Sequence, residues 1–203
     1  MEAPPAEDRV TGRSIAKATR RAALLGAAAQ LFADRGYNGV SIEDLGAAAG
    51  VSGPAVYRHF TGKPSVLSAL LTGVSEDLLE GGRAVAKAAS SPEEALRGLI
   101  RFQVEFALNN ANVIRVQDRD LGSLAHDDER TVRSLQRSYV RVWVDELAAH
   151  RPETDRSLLR RKVHAVFGLI NSTPHTTHGT SSGPELTLFR DLLQDMAWAA
   201  LTA

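Results

Sequence analysis

The stretch from Gly39 to Lys63, GVSIEDLGAAAGVSGPAVYRHFTGK, constrains this chain more tightly than any other. Ser41 stands three residues before Asp44, the spacing at which a hydroxyl caps a helix N-terminus and an acid reaches back to the cap. Ile42, Leu45 and Ala49 then recur at i, i+3 and i+7 and give one apolar face. Gly50 follows, the residue best suited to a left-handed turn at a helix end. A second helix starts almost at once. Ser52 is its expected cap, and Pro54 sits in its first turn, where a missing N–H leaves no helical bond unmade. Val51, Ala55 and Val56 can pack back on the first helix. Two short helices around a tight turn form a helix-turn-helix, and the small residues Gly53 and Ala55 keep the leading end of the second thin enough for a DNA major groove about 12 Å wide. At its far end stand Tyr57, Arg58 and His59, then Phe60 as an apolar anchor, then Thr61, Gly62 and Lys63. Polar aromatic and basic groups there suit phosphate contact, which positions a protein without reading sequence. The expectation is that Ser52, Gly53, Pro54 and Ala55 face base edges, while Ser41, Tyr57, His59 and Lys63 meet phosphates, with Arg58 in the same interface.

The run from Leu31 to Tyr37 (LFADRGY) through Val56 to Lys63 (VYRHFTGK) resembles the DNA-binding domain of the TetR family of bacterial repressors, over about residues 14–67. The sequence departs from that pattern at Pro64, where glutamate is commoner, and a proline in a first helical turn is sterically acceptable. The remaining three-quarters resembles the family in length and all-helical texture. The resemblance implies a homodimer whose two recognition helices lie about one DNA turn apart on a near-palindromic operator. It also implies a small-molecule inducer held in the larger domain, with some relatives sensing acyl-CoA thioesters, and a lever running from that ligand to the DNA through the helix that begins at Pro64.

The formal net charge is zero, yet the charge is unevenly placed. From Arg9 to Lys63 the chain has eight basic residues and three acidic ones, so a basic lobe sits on a neutral protein. That distribution is the electrostatic footprint of a nucleic-acid partner. Hydrophobic residues make up 43% of the chain, enough for a full core, and the absence of cysteine removes disulfides, thiolate metal sites and thiol nucleophiles. No apolar run approaches the length of a membrane span, and the start MEAPPAED lacks the form of a signal peptide, so a cytoplasmic protein without membrane contact is expected. No glycine-rich phosphate loop or nucleophile elbow is present, and neither enzymatic activity nor a cofactor is expected.

In chain order, residues 1–12 read as a disordered arm, 13–63 as the DNA-binding domain and 64–203 as a ligand-binding and dimerisation domain. A first helix should run from about Ser14 to Arg35 on the stripe Leu24, Ala28, Leu31 and Phe32. A longer helix opens at Pro64, with Gly81-Gly82 and Ser90-Ser91-Pro92 as weak points and a boundary near 90. Further helices follow from Pro92, from Val113, from His126, from about Thr154 and from Glu185. No strand pattern appears, and the fold expected is all-α with about nine helices. The last two helices are apolar over a broad face, which suits a four-helix dimer interface.

The ligand site is less sharply drawn. Phe102, Phe106, Tyr139, Trp143 and Phe167 are candidates for a pocket wall, with plain core as the alternative. Arg115, Gln117 and Arg119 sit in the short polar helix, where Arg115 and Arg119 are candidates for an anionic head. Their alternative is an intrahelical network with Asp118 and Asp120. His126-Asp127-Asp128-Glu129 reads as a helix start whose acids suit the dipole, or as a hard-cation site. Two other functions stay open: a helical small-molecule-binding protein with a non-functional helix-turn-helix, and a metal sensor using His175 and His178.

Overall fold

The computed structural model describes residues 12–173 and 183–203. Among the described residues there are nine α-helices and no strand: α1 (Gly12–Arg35), α2 (Ile42–Ala48), α3 (Gly53–Val56), α4 (Lys63–Ala88), α5 (Pro92–Asn109), α6 (Ala111–Asp120), α7 (His126–His150), α8 (Arg156–Ile170) and α9 (Pro184–Thr202). A 3₁₀ turn, Leu121–Ser123, joins α6 to α7. The all-helical class and the helix positions agree with the sequence pattern. The N-terminal arm and the segment holding His175 and His178 fall outside the described residues, apart from Gly12, which opens α1. No described helix is long and apolar enough to cross a membrane.

Local chemistry places the helix ends. Gly36 takes φ 78° and closes α1 with its N–H on the Phe32 carbonyl, 2.9 Å away. At the start of α4 the Ser65 hydroxyl accepts the Gly62 N–H (3.2 Å) and donates to the Gly62 carbonyl (2.8 Å). Pro64 lies in that first turn without disturbing it, as the sequence led us to expect. Ser91 caps α5 by accepting the Glu94 N–H, and Asp155 caps α8 by accepting from Ser157 and Leu158.

Two hydrophobic cores result. The smaller gathers Leu24, Phe32, Leu45, Val56, Phe60 and Leu67 from α1 to α4, and closes with Val113 and Val116 of α6 and Val132 of α7. The larger is built on Leu99, Val104, Trp143, Leu147, Leu159 and Ile170 from α5, α7 and α8, with Leu193 and Leu201 of α9. The break expected after Lys63 is therefore not a clean one, because the N-terminal core borrows side chains from α6 and α7.

The weak point expected at Gly81-Gly82 is also absent, for α4 runs unbroken to Ala88. These glycines are where the edges of aromatic rings come up against the helix. A methyl group on Gly81 would overlap the Phe102 ring, and one on Gly82 would overlap the Tyr139 ring. Gly73, on the same helix, has open space beyond it. Gly82→Val is therefore expected to cost about 1–3 kcal/mol by overpacking. Gly73→Ala is expected to gain about 0.5–1 kcal/mol from helix propensity alone. Urea unfolding of the two variants measures both, and equal stabilities would refute the packing role given to Gly82.

Candidate nucleic-acid interface

The capping box expected at the start of α2 is fully formed. The Ser41 hydroxyl donates to Asp44 Oδ2 (2.6 Å) and accepts the Asp44 N–H (3.1 Å), and the Ser41 N–H donates to the same carboxylate oxygen (2.8 Å). The Ser41 side-chain hydrogen bond, then the backbone one, holds the Asp44 carboxyl below the ordinary carboxylate range, with Arg35 at 3.6 Å adding to the effect. Gly50 takes φ 68°, and the Val51 N–H returns to the Gly46 carbonyl at 2.8 Å. That return brings Val51 so close to α2 that a Cβ on Gly46 would sit 2.9 Å from its carbonyl oxygen. The turn is thus fixed by two glycines, one for its dihedral and one for the close approach.

Regular helix in α3 lasts a single turn, and Ser52 precedes it without a side-chain cap, contrary to expectation. Pro54 already supplies the fixed φ of the first turn, and its missing N–H removes one donor that a cap would satisfy. Beyond Val56 the coil continues through bonds from the His59 and Phe60 N–H groups to the Val56 carbonyl, 2.9 and 3.0 Å. Val56 and Phe60 are buried and anchor this turn, while Ser52, Pro54 and Arg58 are exposed, Tyr57 is 57% exposed, and Gly53, Ala55 and His59 are half-buried. Lys63 is not a free cation. Its ammonium donates to the Tyr37 carbonyl (2.9 Å) and lies 4.4 Å from the Tyr37 ring centre, clipping the start of α4 to the end of α1.

A cavity of about 200 Å³ lies in the larger core, lined by Ser75, Leu78, Gln103, Gln117, Gln136, Tyr139, Val140, His164, Phe167 and Asn171. Across it runs a hydrogen-bonded chain. The Tyr139 hydroxyl donates to Gln103 Oε1 (3.0 Å), and Gln103 Nε2 donates to Asn171 Oδ1 (3.1 Å). Burial raises the Tyr139 phenol well above its ordinary pKa, so it remains a donor at any physiological pH. Two of the expected aromatics, Tyr139 and Phe167, line this cavity. Trp143 is fully buried behind them, 5.1 Å from the Phe167 ring, Phe102 fills the notch at Gly81, and Phe106 packs half-buried against the larger core.

The arginines expected to hold an anionic head lie elsewhere. Arg115 donates to Asn112 Oδ1 at 3.4 Å. Arg119 is turned towards the N-terminal domain, where its guanidinium donates to the Phe32 and Ala33 carbonyls and to the Asp120 carboxylate at 3.0 Å. Only Gln117 of that helix reaches the cavity. Among the described residues no group of three or more His, Asp or Glu is placed to hold a metal. Asp127 and Glu129 instead pair with Arg130 and Arg133 at 2.7 and 2.8 Å.

Two family models match this chain, that of bacterial regulatory proteins of the tetR family over residues 24–70 and that of the tetracyclin repressor-like C-terminal domain over residues 89–175. The HTH-type transcriptional repressor KstR2 of Mycolicibacterium smegmatis is 30% identical over 153 residues, covering 71% of this chain and 74% of that protein. The repressor of the same name from Rhodococcus jostii is 27% identical over 150 residues, covering 73% and 71%. Among solved structures, the ketosteroid transcriptional regulator KstR2 of Mycobacterium tuberculosis superposes with a TM-score of 0.75 at 23% identity, covering 90% of this chain and 93% of that one. The chain belongs to the TetR family. TetR-family proteins are non-enzymatic DNA-binding transcription factors, and the capped helix-turn-helix of this one lies inside the first matched segment.

Several cavity residues of this TetR-family chain escaped the sequence reading, namely Ser75, Gln136 and Asn171. One signal was available. Gln103 falls at helical spacing on the otherwise apolar face of Leu96, Leu99, Ile100, Val104 and Ala107, and a buried glutamine needs partners.

The capping box gives a test. A carboxyl whose folded pKa is depressed adds stability above its unfolded value, about 3.9, and loses it as pH falls through the folded value. Ser41→Ala is expected to lower stability at pH 7 by about 0.5–2 kcal/mol. The gap to the wild type should narrow below pH ~4, where Asp44 protonates in the unfolded chain. Denaturant titrations at pH 7 and pH 3 measure both, and a gap of constant size would argue against the Asp44 contribution.

Proposed function

We propose that this TetR-family regulator is a homodimeric repressor that binds a near-palindromic operator and is released by a lipid-like small molecule, of which acyl-CoA thioesters and ketosteroids are the leading classes. The observation that carries this reading is the path of α4. It starts at Lys63, immediately behind the helix-turn-helix, and supplies Ser75 and Leu78 to the cavity wall. A ligand that binds more tightly to one inclination of α4 than to another therefore biases the separation of the two recognition helices. Release needs only that difference in affinity between two states. The cavity chemistry fits an amphiphilic molecule of this kind, since Leu78, Val140, Phe167 and the Tyr139 ring supply apolar surface while seven of the ten lining residues bring a polar side-chain group. The names of the KstR2 relatives, repressors and in one case a ketosteroid regulator, point the same way.

On the DNA side, Ser52, Gly53, Pro54 and Ala55 face base edges, and Ser41, Tyr57, Arg58 and His59 reach phosphates in this reading. Lys63, held by Tyr37, serves more to set the angle of α4 than to touch DNA. Dimerisation is supported by the exposed faces of the last two helices, where Leu158 of α8 and Leu188, Leu192 and Met196 of α9 stand 44–69% exposed. Four large apolar side chains on neighbouring helices suit a second copy of the same pair.

Sequencing the genomic fragments retained by ligand-stripped protein, with competitor DNA at physiological salt, is the direct test. A few near-palindromic sites are expected, and uniform recovery would refute the repressor reading. Arg58→Ala should weaken binding on all sequences and reduce the slope of log affinity against log salt by about one, as loss of a phosphate contact requires. Leu192→Asp should yield a folded monomer by sedimentation, with operator affinity lost. A dimeric Leu192→Asp protein would place the interface elsewhere.

A further inference from the structure

Between α7 and α8 runs a furrow walled by arginine. On α7, Arg133, Arg137 and Arg141 recur every fourth residue, and on α8, Arg156, Arg160 and His164 do the same. Four-residue spacing keeps each set on one helix face. The furrow has two sections of about 320 and 330 Å³, and Arg160 lines both. Two of these cations are neutralised, Arg133 by Glu129 and Arg156 by Asp145. Among the described residues Arg137, Arg141 and Arg160 have neither an ion pair nor a hydrogen bond. Three uncompensated guanidinium groups thus line one trough on a chain of zero formal net charge.

The position of the trough gives this charge a use. Gln136, Val140 and His164 line both the furrow and the cavity, so the two spaces meet along that edge. The cavity, about 200 Å³, is smaller than the roughly 300–1,000 Å³ that encloses a whole drug-sized ligand. A larger amphiphile seated there must leave its polar part outside, and Gln136 and His164 mark one way out. Guanidinium forks match phosphate oxygens in pairs, and three of them suit a polyanion better than a single carboxylate.

We infer that the furrow between α7 and α8 binds the phosphorylated head of a soluble amphiphilic effector whose apolar part occupies the cavity, Arg137, Arg141 and Arg160 being the phosphate ligands. This rests on the reading of the cavity as the effector site, and it moves the anion-binding role from α6 to α7 and α8. Coenzyme A thioesters have the required form, an apolar acyl group joined to a head that carries several phosphates.

Three probes separate the parts: dodecanoate reads the cavity, free coenzyme A reads the furrow, and dodecanoyl-CoA reads both. Calorimetry on the purified full-length protein should show dodecanoyl-CoA binding more tightly than dodecanoate, by a margin that shrinks with salt. In the triple variant R137Q/R141Q/R160Q the affinities for dodecanoyl-CoA and coenzyme A should fall about tenfold, as for three partly exposed charge contacts. Dodecanoate and operator affinity should stay at the wild-type level, which also shows that the variant is folded. Equal thioester and coenzyme A affinities in the two proteins would overturn the furrow while leaving the cavity reading intact. A variant that loses operator affinity with its fold intact by circular dichroism would assign the arginines to DNA and overturn it too. Coenzyme A bound by the wild type and lost in the variant, with no binding of dodecanoate, would support the furrow and count against the cavity.

Discussion

Val113 and Val116 of α6 are buried against α1 and α4 in the smaller core, whereas Ile114, one residue on from Val113, is buried in the larger. A helix of ten residues is thereby held from two sides, and its polar groups sort accordingly. Gln117 turns to the cavity, Arg119 to the carbonyls that end α1, and Asn112 donates to Gln30 of α1 at 2.6 Å. Neither core can rearrange around α6 without the other registering it, since packed interiors transmit displacement instead of absorbing it. Arg119 is the clearest expression of this, because a guanidinium on two successive carbonyls fixes both the position and the orientation of a helix end. Two packed connections thus run between the cavity wall and the helix-turn-helix, one along α4 and one through the pair α6–α1.

The polar chain Tyr139–Gln103–Asn171 plays a different part. Buried amides and phenols that satisfy one another cost little, while one left alone costs on the order of 1–3 kcal/mol. A ligand that takes a hydrogen bond from this chain must return one, which discriminates against molecules lacking a polar group at the right place. Apolar surface near the chain accepts many shapes, so the balance of affinity and selectivity sits in these three residues more than in the ring wall.

The helix-turn-helix was legible because everything that defines it is local: a cap three residues from its acid, a glycine at φ 68° and a proline in a first turn. The helix spans were legible for the same reason, through periodicity and caps. The cavity was not, since its lining comes from α4, α5, α6, α7 and α8 and from Asn171 just beyond α8. The grouping of Gln117 with Arg119 shows the difficulty. Residues two apart on a helix point about 200° from one another, so Gln117 and Arg119 face opposite sides of α6. The furrow on α7 and α8 was invisible for a related reason, as each arginine row reads alone like an ordinary solvated face until the helices lie side by side.

The paired glycines of α4 carry an implication for how this protein can diverge. Phe102 and Tyr139 sit in notches that exist only while residues 81 and 82 lack a side chain. Any lineage that keeps the glycines keeps the ring wall nearly fixed in shape. Variation in what the cavity can admit is then channelled into Gln103, Gln136 and Asn171, where a change of one atom alters its hydrogen-bonding groups without reshaping it. Loss of Gly82 would instead act as a founder event, displacing the Tyr139 ring and opening a differently shaped chamber in one step.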